Sequence, residues 1–167
     1  MEFISGRLYF IKESFFELVG DVFLKTNKDS TLRPHYYAFK DEKTNLLWVI
    51  PCSSQIEKYQ TIIKYKNENG QKHNHIQIIK VNGIEQVFLY QDMFPVLEKY
   101  IESPYKKQNA FMEIKDPKKI SAIEKNAKKI IKLIRHGIKF TPTQPDIIKV
   151  EELMLYELEK DSFLIKK

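Results

Sequence analysis

The dipeptide Asn82-Gly83 stands between two runs of branched and aromatic residues, 75–81 and 84–90. This is the pattern of two antiparallel strands joined by a two-residue turn, which needs positive φ at both central positions and therefore Asn and Gly. A second strand pair precedes it at 35–39 and 46–50, joined by the charged loop Lys40-Asp41-Glu42-Lys43-Thr44-Asn45. A lone hairpin is not stable in water, so these strands must share a sheet with a buried face. Residues 7–11 predict a further strand, and 14–19 a helix or turn with Phe15, Leu18 and Val19 inward. Polar residues 25–31 break the pattern.

Later in the chain the apolar period lengthens from that of a strand to that of a helix. Residues 56–65 carry Ile56, Tyr59, Ile62 and Ile63 at helical spacing. Residues 92–96 read as a segment leading away from the sheet. Residues 120–136 predict a lysine-studded helix with Ile123, Ala127, Ile130, Ile131 and Ile134 on one side and Gly137 as its stop. Residues 145–158 predict a last amphipathic helix, with Thr143 and Pro145 suited to its first turn. Strands first and helices later make an α+β domain with a strongly bent antiparallel sheet and helices added mainly in the C-terminal half. With 167 residues, 43% of them hydrophobic, 1–167 is read as a single domain; halves would be too small for cores of their own.

Charge and cysteine count narrow the function classes. The formal charge of +6, from 28 Lys and Arg against 22 Asp and Glu, favours a polyanionic partner through counterion release. The single cysteine, Cys52, excludes an internal disulfide and a cysteine-rich zinc site, and places the chain in an intracellular, cytoplasmic setting. No apolar run reaches the roughly 18 residues of a membrane span, and Arg7, Lys12 and Glu13 interrupt the start, so no signal peptide or anchor is expected. Five glycines form no phosphate-cradling loop, and no cofactor is expected.

A hairpin spanning 35–50 would bring two polar clusters to the same sheet end: Arg33-Pro34-His35-Tyr36-Tyr37, and Ser53-Ser54-Gln55 with Lys58 a turn further on. Cleaving RNA without a metal needs proton transfer at the 2′-hydroxyl and 5′-oxygen, and charge or hydrogen bonds on the phosphate. His35 titrates in the right range, Arg33 and Lys58 supply charge, and Ser53, Ser54 and Gln55 supply hydrogen bonds. Each also has a structural reading. Arg33-Pro34 can simply begin a strand, His35 can be a satisfied imidazole, and Ser54 with Glu57 three residues on can be a capping box. Capping and phosphate binding can coexist, because a helix N-terminus is itself an anion site.

Other patterns are weaker. Alternation puts His73 and His75 on one strand face as a possible metal pair, but no nearby Cys or carboxylate completes a set. Ser53 and Ser54 lack the nucleophile-elbow glycines, and no acid matches His35 or His136, which argues against a serine hydrolase. Lys118, Lys119, Lys125, Lys128, Lys129 and Lys132, with Arg135, lie largely opposite the isoleucines, with Glu124 the lone acid of that helix. Such a row is a solvated helix face or a phosphate-tracking groove. Tyr9, Tyr36, Tyr37 and Tyr105 are either core residues or platforms for unpaired bases.

Taken together, RPHYYAF, LLWVIPCSSQIEKY, QDMFPV, SPYKKQ and the lysine-rich helix resemble the toxins of type III toxin–antitoxin systems, the ToxN, AbiQ and TenpN group, and look nearest to the CptN branch. The likeness runs over residues 8–159, with IPCSSQ at its distance from RPHYY as the most specific part. It implies a metal-independent endoribonuclease on a bent sheet or partial barrel of the MazF and Kid type, leaving 2′,3′-cyclic phosphate and 5′-hydroxyl ends. It also implies inhibition by a small RNA antitoxin of pseudoknot repeats, an assembly of protein with that RNA, and cellular or phage RNA as substrate, some members acting by abortive infection. By position, the family's hydroxyl pair falls on Ser53 and Ser54. A basic residue, lysine in the ToxN type, falls on His35; the lysine beyond the hydroxyl pair is replaced by Gln55-Ile56-Glu57, with Lys58 as substitute. An early tyrosine falls on Phe15, leaving Tyr9 nearby. The expected catalytic residues are thus His35, Ser53 and Ser54, with Arg33, Tyr36, Gln55, Lys58, Lys118, Lys119, Lys125, Lys128 and Lys129 binding RNA. A non-catalytic basic RNA-binding module is the alternative.

Overall fold

A computed structural model describes residues 1–27 and 31–167. In chain order the elements are β1 (Leu8–Ile11), α1 (Glu13–Val19), β2 (Pro34–Lys40), β3 (Leu47–Ser53), α2 (Ile56–Glu68), β4 (Ile76–Val81), β5 (Ile84–Leu89), β6 (Phe94–Val96), β7 (Ile101–Pro104), β8 (Lys106–Lys107), β9 (Ala110–Phe111), α3 (Pro117–Arg135) and α4 (Ile147–Ile165). Seven strands form one strongly bent antiparallel sheet in the order β4-β5-β3-β2-β1-β7, with β6 also pairing β3; β8 and β9 form a separate small hairpin. The class is α+β, with the two long helices in the C-terminal half.

The bend has its origin at β3. One edge pairs with β2, and the other is shared: Cys52 and Ser53 face Phe88 and Val87 of β5, while Leu47, Trp48 and Val49 face Val96, Pro95 and Phe94 of β6. Residues 92–96, expected to leave the sheet, therefore rejoin it after one tight turn over Tyr90–Asp92. On the β2 edge the register slips between Tyr37 and Phe39, a bulge that increases the local twist and turns Phe39 to the side of Trp48. Their rings stack with centroids 6.2 Å apart.

Both faces of the sheet are covered, so the central strands are apolar on both sides. Tyr36, Ala38, Trp48, Ile50 and Cys52 pack under the apolar stripe of α3, Ile123, Ala127, Ile130, Ile131 and Ile134. The opposite face buries Tyr9, Ile11, Tyr37, Val49 and Phe94 beneath Phe15 and Phe16 of α1 and Val150 and Met154 of α4. The outer end, Ile76, Val87 and Leu89, is covered by Tyr59 of α2 with Ile56, Ile62 and Ile63. In α1, Phe16 and not Leu18 points inward; Leu18 is exposed. None of the described helices is long and apolar enough to cross a membrane.

Local chemistry sets the element ends. Asn82 and Gly83 have φ of 49° and 78°, as their hairpin requires. The same turn recurs unforeseen between β8 and β9, where Gln108 and Asn109 have φ of 50° and 62°. Strand β4 starts only at Ile76, whose N–H donates to His73 O at 2.9 Å; His73 and His75 thus lie in a turn and do not share a strand face. Asp116 caps α3 by accepting from Lys118 N–H at 2.9 Å, and Asp146 caps α4, which runs beyond Leu158 to Ile165.

Gly6 fixes how β1 begins. It has φ of +91°, it accepts from Ile114 N–H at 2.7 Å, and a Cβ there would sit 2.3 Å from Ile114 O. Gly6→Ala is expected to cost about 2–3 kcal/mol in urea unfolding, from strain plus the backbone clash. Gly70→Ala, at φ +64° with open space around it, is expected to cost only about 1 kcal/mol.

Candidate functional site

His35 is in register with Pro51, so the residues leading into β2 and those leaving β3 meet at one sheet end. They line a cleft of about 290 Å³ formed by Arg33, Pro34, Cys52, Ser53, Ser54 and Gln55 together with Thr26, Thr31, Leu32, Gln86 and Tyr105. Arg33 is held from three directions. Its Nη1 donates to Cys52 O at 3.0 Å, its Nε to Thr26 O at 3.3 Å, and its N–H to Asn27 Oδ1 at 2.9 Å. Its Nη2 has no hydrogen-bond partner among the described residues. A guanidinium fixed this way loses little freedom on meeting an anion.

On the other wall, Ser53 Oγ accepts from Gln55 N–H at 3.2 Å and Ser54 O accepts from Ile56 N–H at 2.9 Å, a tight turn that leads directly into α2. Gln55, not Ser54, occupies the capping position, and among the described residues no side chain caps the helix. The anticipated Ser54–Glu57 capping box is therefore not formed, and Ser54 is exposed. Among the described residues, Glu57 and Lys58 N–H also have no partner. The start of α2 thus offers unpaired donors and the positive end of its dipole next to Arg33. A guanidinium, two hydroxyls and a helix N-terminus can together hold a phosphate and the extra charge of its pentavalent transition state.

His35 does not open onto this cleft. It has no exposed surface, lying against Phe94 (5.3 Å between ring centroids) and Phe16 (6.1 Å). Its Nδ1 is 2.9 Å from Arg33 O, so this nitrogen carries the proton, while buried Nε2 has no partner among the described residues. Burial first, and then the Arg33 charge, push its pKa down to about 3. The expected proton transfer to RNA needs a ring within reach of the nucleotide; here the imidazole instead orients the main chain that carries Arg33. Tyr36 is likewise corrected as an RNA contact, because it is fully buried against Phe88 with its hydroxyl pKa pushed up by burial. Tyr9 and Tyr37 are also core residues, whereas Tyr105 is partly exposed and lines the cleft.

The remaining expected cations are elsewhere. Lys58 is exposed, its Nζ 5.3 Å from the Tyr59 ring centroid, and does not line the cleft. Lys118, Lys119, Lys125, Lys128 and Lys129 are exposed on α3, and none of them lines it either. Lys128 pairs with Glu124 at 2.9 Å, and Arg135 makes a fork with Glu151 at 2.8 and 2.7 Å. Lys129 borders a larger, more open groove of about 810 Å³ with Ile63, Lys72, His73 and Ile78. That groove gathers amides and isoleucines but no set of converging charged and hydroxyl groups, so size does not make it the chemical site. His75 is buried beside Phe140, and burial pushes its pKa down to about 4. Among the described residues, no three His, Cys, Asp or Glu side chains gather to hold a metal ion.

Two residues near the site escaped the sequence reading. Gln86 lines the cleft from β5. Asp92 is 2% exposed, accepts from Gln91 Nε2 at 3.2 Å, and has its pKa pushed up to about 6 by burial, against the opposing pull of Lys25 and Arg33. The only signal for Asp92 was an acid inside the apolar run QDMFPV.

Three solved structures share this architecture. One belongs to work described as "A processed non-coding RNA regulates a bacterial antiviral system"; it is 15% identical, with a TM-score of 0.62 over 87% of this chain and 95% of that one. A second comes from a bacterial type III toxin–antitoxin system with "selective toxin inhibition by a non-coding RNA pseudoknot", at 15% identity and a TM-score of 0.62 over 93% and 99%. The third is AbiQ, a lactococcal anti-phage endoribonuclease of a type III toxin–antitoxin system, at 15% identity and 0.61 over 93% and 99%. Likeness at this identity establishes the fold. No family model and no curated protein matches the sequence.

The Asp92 carboxyl supplies a stability test. Its folded pKa lies above the unfolded value near 4, so its contribution is fully present below about pH 4 and is lost as the pH rises through about 6. Asp92→Asn is expected to raise stability at pH 7.5 by about 2–3 kcal/mol and to flatten that fall, read by urea unfolding across pH.

Proposed function

We propose that this protein is an endoribonuclease toxin of a type III toxin–antitoxin system, closest in sequence pattern to the CptN branch. It cleaves RNA without a metal: the ribose 2′-hydroxyl attacks the adjacent phosphorus, the 5′-oxygen leaves, and the products are a 2′,3′-cyclic phosphate and a 5′-hydroxyl. The observation that carries this reading is the anchored Arg33 guanidinium facing Ser53 and Ser54 at the start of α2, in a fold like that of AbiQ, an anti-phage endoribonuclease. In this reading Arg33, Ser53, Ser54, Gln55 and the first N–H groups of α2 surround the scissile phosphate and stabilise the charge that develops on its oxygens. His35 is a positioning residue, acting through the Arg33 carbonyl, and protons pass to and from water. The natural partner is a small RNA antitoxin of pseudoknot repeats, which the protein processes and then holds in a protein–RNA assembly in the cytoplasm. Free protein cuts cellular or phage RNA.

The absence, among the described residues, of an imidazole opening onto the cleft is the observation that favours the second reading, a non-catalytic module that grips RNA. Incubating the protein with total RNA in EDTA and mapping new 5′-hydroxyl ends separates the two; salt-dependent binding without new ends supports the module. Under the first reading, Ser53→Ala and Arg33→Met are each expected to slow cleavage about 10²- to 10³-fold with an unchanged circular dichroism spectrum.

Cleavage is also expected to show no imidazole inflection between pH 5.5 and 7.5, because His35 stays neutral down to about pH 3. A limb in that window that His35→Gln removed, with the fold intact, would restore the imidazole to the chemistry.

A further inference from the structure

Among the described residues the side chains of Gln91 and Gln144 are engaged by the protein, Gln91 through its nitrogen only, since its Oε1 has no partner. Gln91 donates to Asp92 at 3.2 Å, and Gln144 accepts from Phe140 N–H at 2.8 Å. Gln86, 7% exposed as a residue, makes no side-chain hydrogen bond among the described residues, and it borders the cleft. It sits on β5 opposite Ile79 and lines the cleft that Arg33 and Ser53 share. Its donor and acceptor are thus not spent on the described protein groups and stand beside whatever occupies the cleft.

Tyr105 lines the same cleft. Its backbone is fixed on both sides, N–H to Leu8 O at 2.8 Å and O from Met112 N–H at 2.9 Å, and its ring lies 4.8 Å from Phe10. It is an aromatic surface held still and partly exposed. A volume of about 290 Å³ accommodates one nucleotide and not a duplex.

We infer that Gln86 reads the edge of one unpaired nucleobase next to the scissile phosphate, while Tyr105 stacks on its face. The amide presents a donor and an acceptor together, the pair that a base edge answers. Stacking holds any base, because every base has a π face, and the amide then decides which one. This rests on the ribonuclease reading above and deepens it: the substrate is single-stranded RNA with a base preference at one position beside the cut.

The test has two arms. In the first, a randomised RNA pool is cleaved by the wild type, Gln86→Leu, Gln86→Glu, Tyr105→Ala and Tyr105→Trp, and the cut sites are sequenced. In the second, the same proteins bind four short homopolymers whose 2′-hydroxyls are replaced by hydrogen, so that binding is read without cleavage. Gln86→Leu nearly conserves volume and removes an unpaired amide, so it is expected to fold. The wild type is expected to favour one base by about tenfold to a hundredfold, and Gln86→Leu to flatten that preference. Gln86→Glu, which only accepts, is expected to move it towards bases that present an amino group. Tyr105→Ala is expected to weaken all four bases by about tenfold or more without reordering them, and Tyr105→Trp to restore them. A wild type without preference, or an unchanged preference in both Gln86 variants, overturns the inference while cleavage itself leaves the ribonuclease reading standing. Base preference in binding that Gln86→Leu abolishes, with no cleavage by the wild type, keeps the base readout and removes the ribonuclease reading.

Discussion

Everything in this molecule depends on β3 being saturated. Its seven residues, Leu47–Ser53, are all buried; one edge is paired along β2, and the other is divided between β5 and β6. No backbone group of such a strand can be left unpaired in an apolar interior without a large cost, so a break in pairing on one edge must be answered at once. The tight turn over Tyr90–Asp92 does this, ending β5 and starting β6 on the same edge. The bulge opposite, at Tyr37 and Phe39, lets the sheet bend without exposing Trp48.

A strand so constrained also delivers its end accurately. Ser53 is its last residue, and the chain turns within two residues into α2. The Cys52 carbonyl, just inside the strand end, receives the Arg33 guanidinium, which ties the start of β2 to the end of β3. The polar groups of the cleft therefore stand on rigid elements, and only their outer atoms remain unengaged. Preorganisation of this kind is what an electrostatic site needs, since donors already aimed at an anion spend little on reorganisation.

Beneath the cleft the chemistry is different. His35 and Asp92 are both titratable and both buried, and burial pushes the imidazole pKa down to about 3 and the carboxyl pKa up to about 6, so the ring is neutral at pH 7 while the carboxyl still ionises there. One rests on a backbone carbonyl and the other on a neighbouring amide. The positive charge at the cleft is thus left to Arg33, with no imidazolium beside it.

How much of this was legible can be followed residue by residue. The Asn82-Gly83 hairpin, the β2–β3 pair, the isoleucine stripe of α3 and the convergence of Arg33 with Ser53 and Ser54 all follow from short-range rules: turn stereochemistry, side-chain period, and the fact that antiparallel strands bring their outer ends together. What those rules do not contain is depth. The sequence placed His35 and Tyr36 at the right end of the right strand, but whether a ring meets solvent or core depends on Phe16, Phe94 and Phe88, which arrive from remote elements. Likewise β6 is three residues long, too short for a periodic signal, and exists because β3 had an edge to fill. Gln86 had no motif; only the folded sheet puts its amide at the cleft. By itself the sequence determined the two hairpin pairings and the meeting of Arg33 with Ser53 and Ser54 at one sheet end, because these are local or nearly so. The tertiary structure alone decided which of those polar groups are wet and which are dry, because burial is a property of everything packed around a residue and not of its neighbours along the chain.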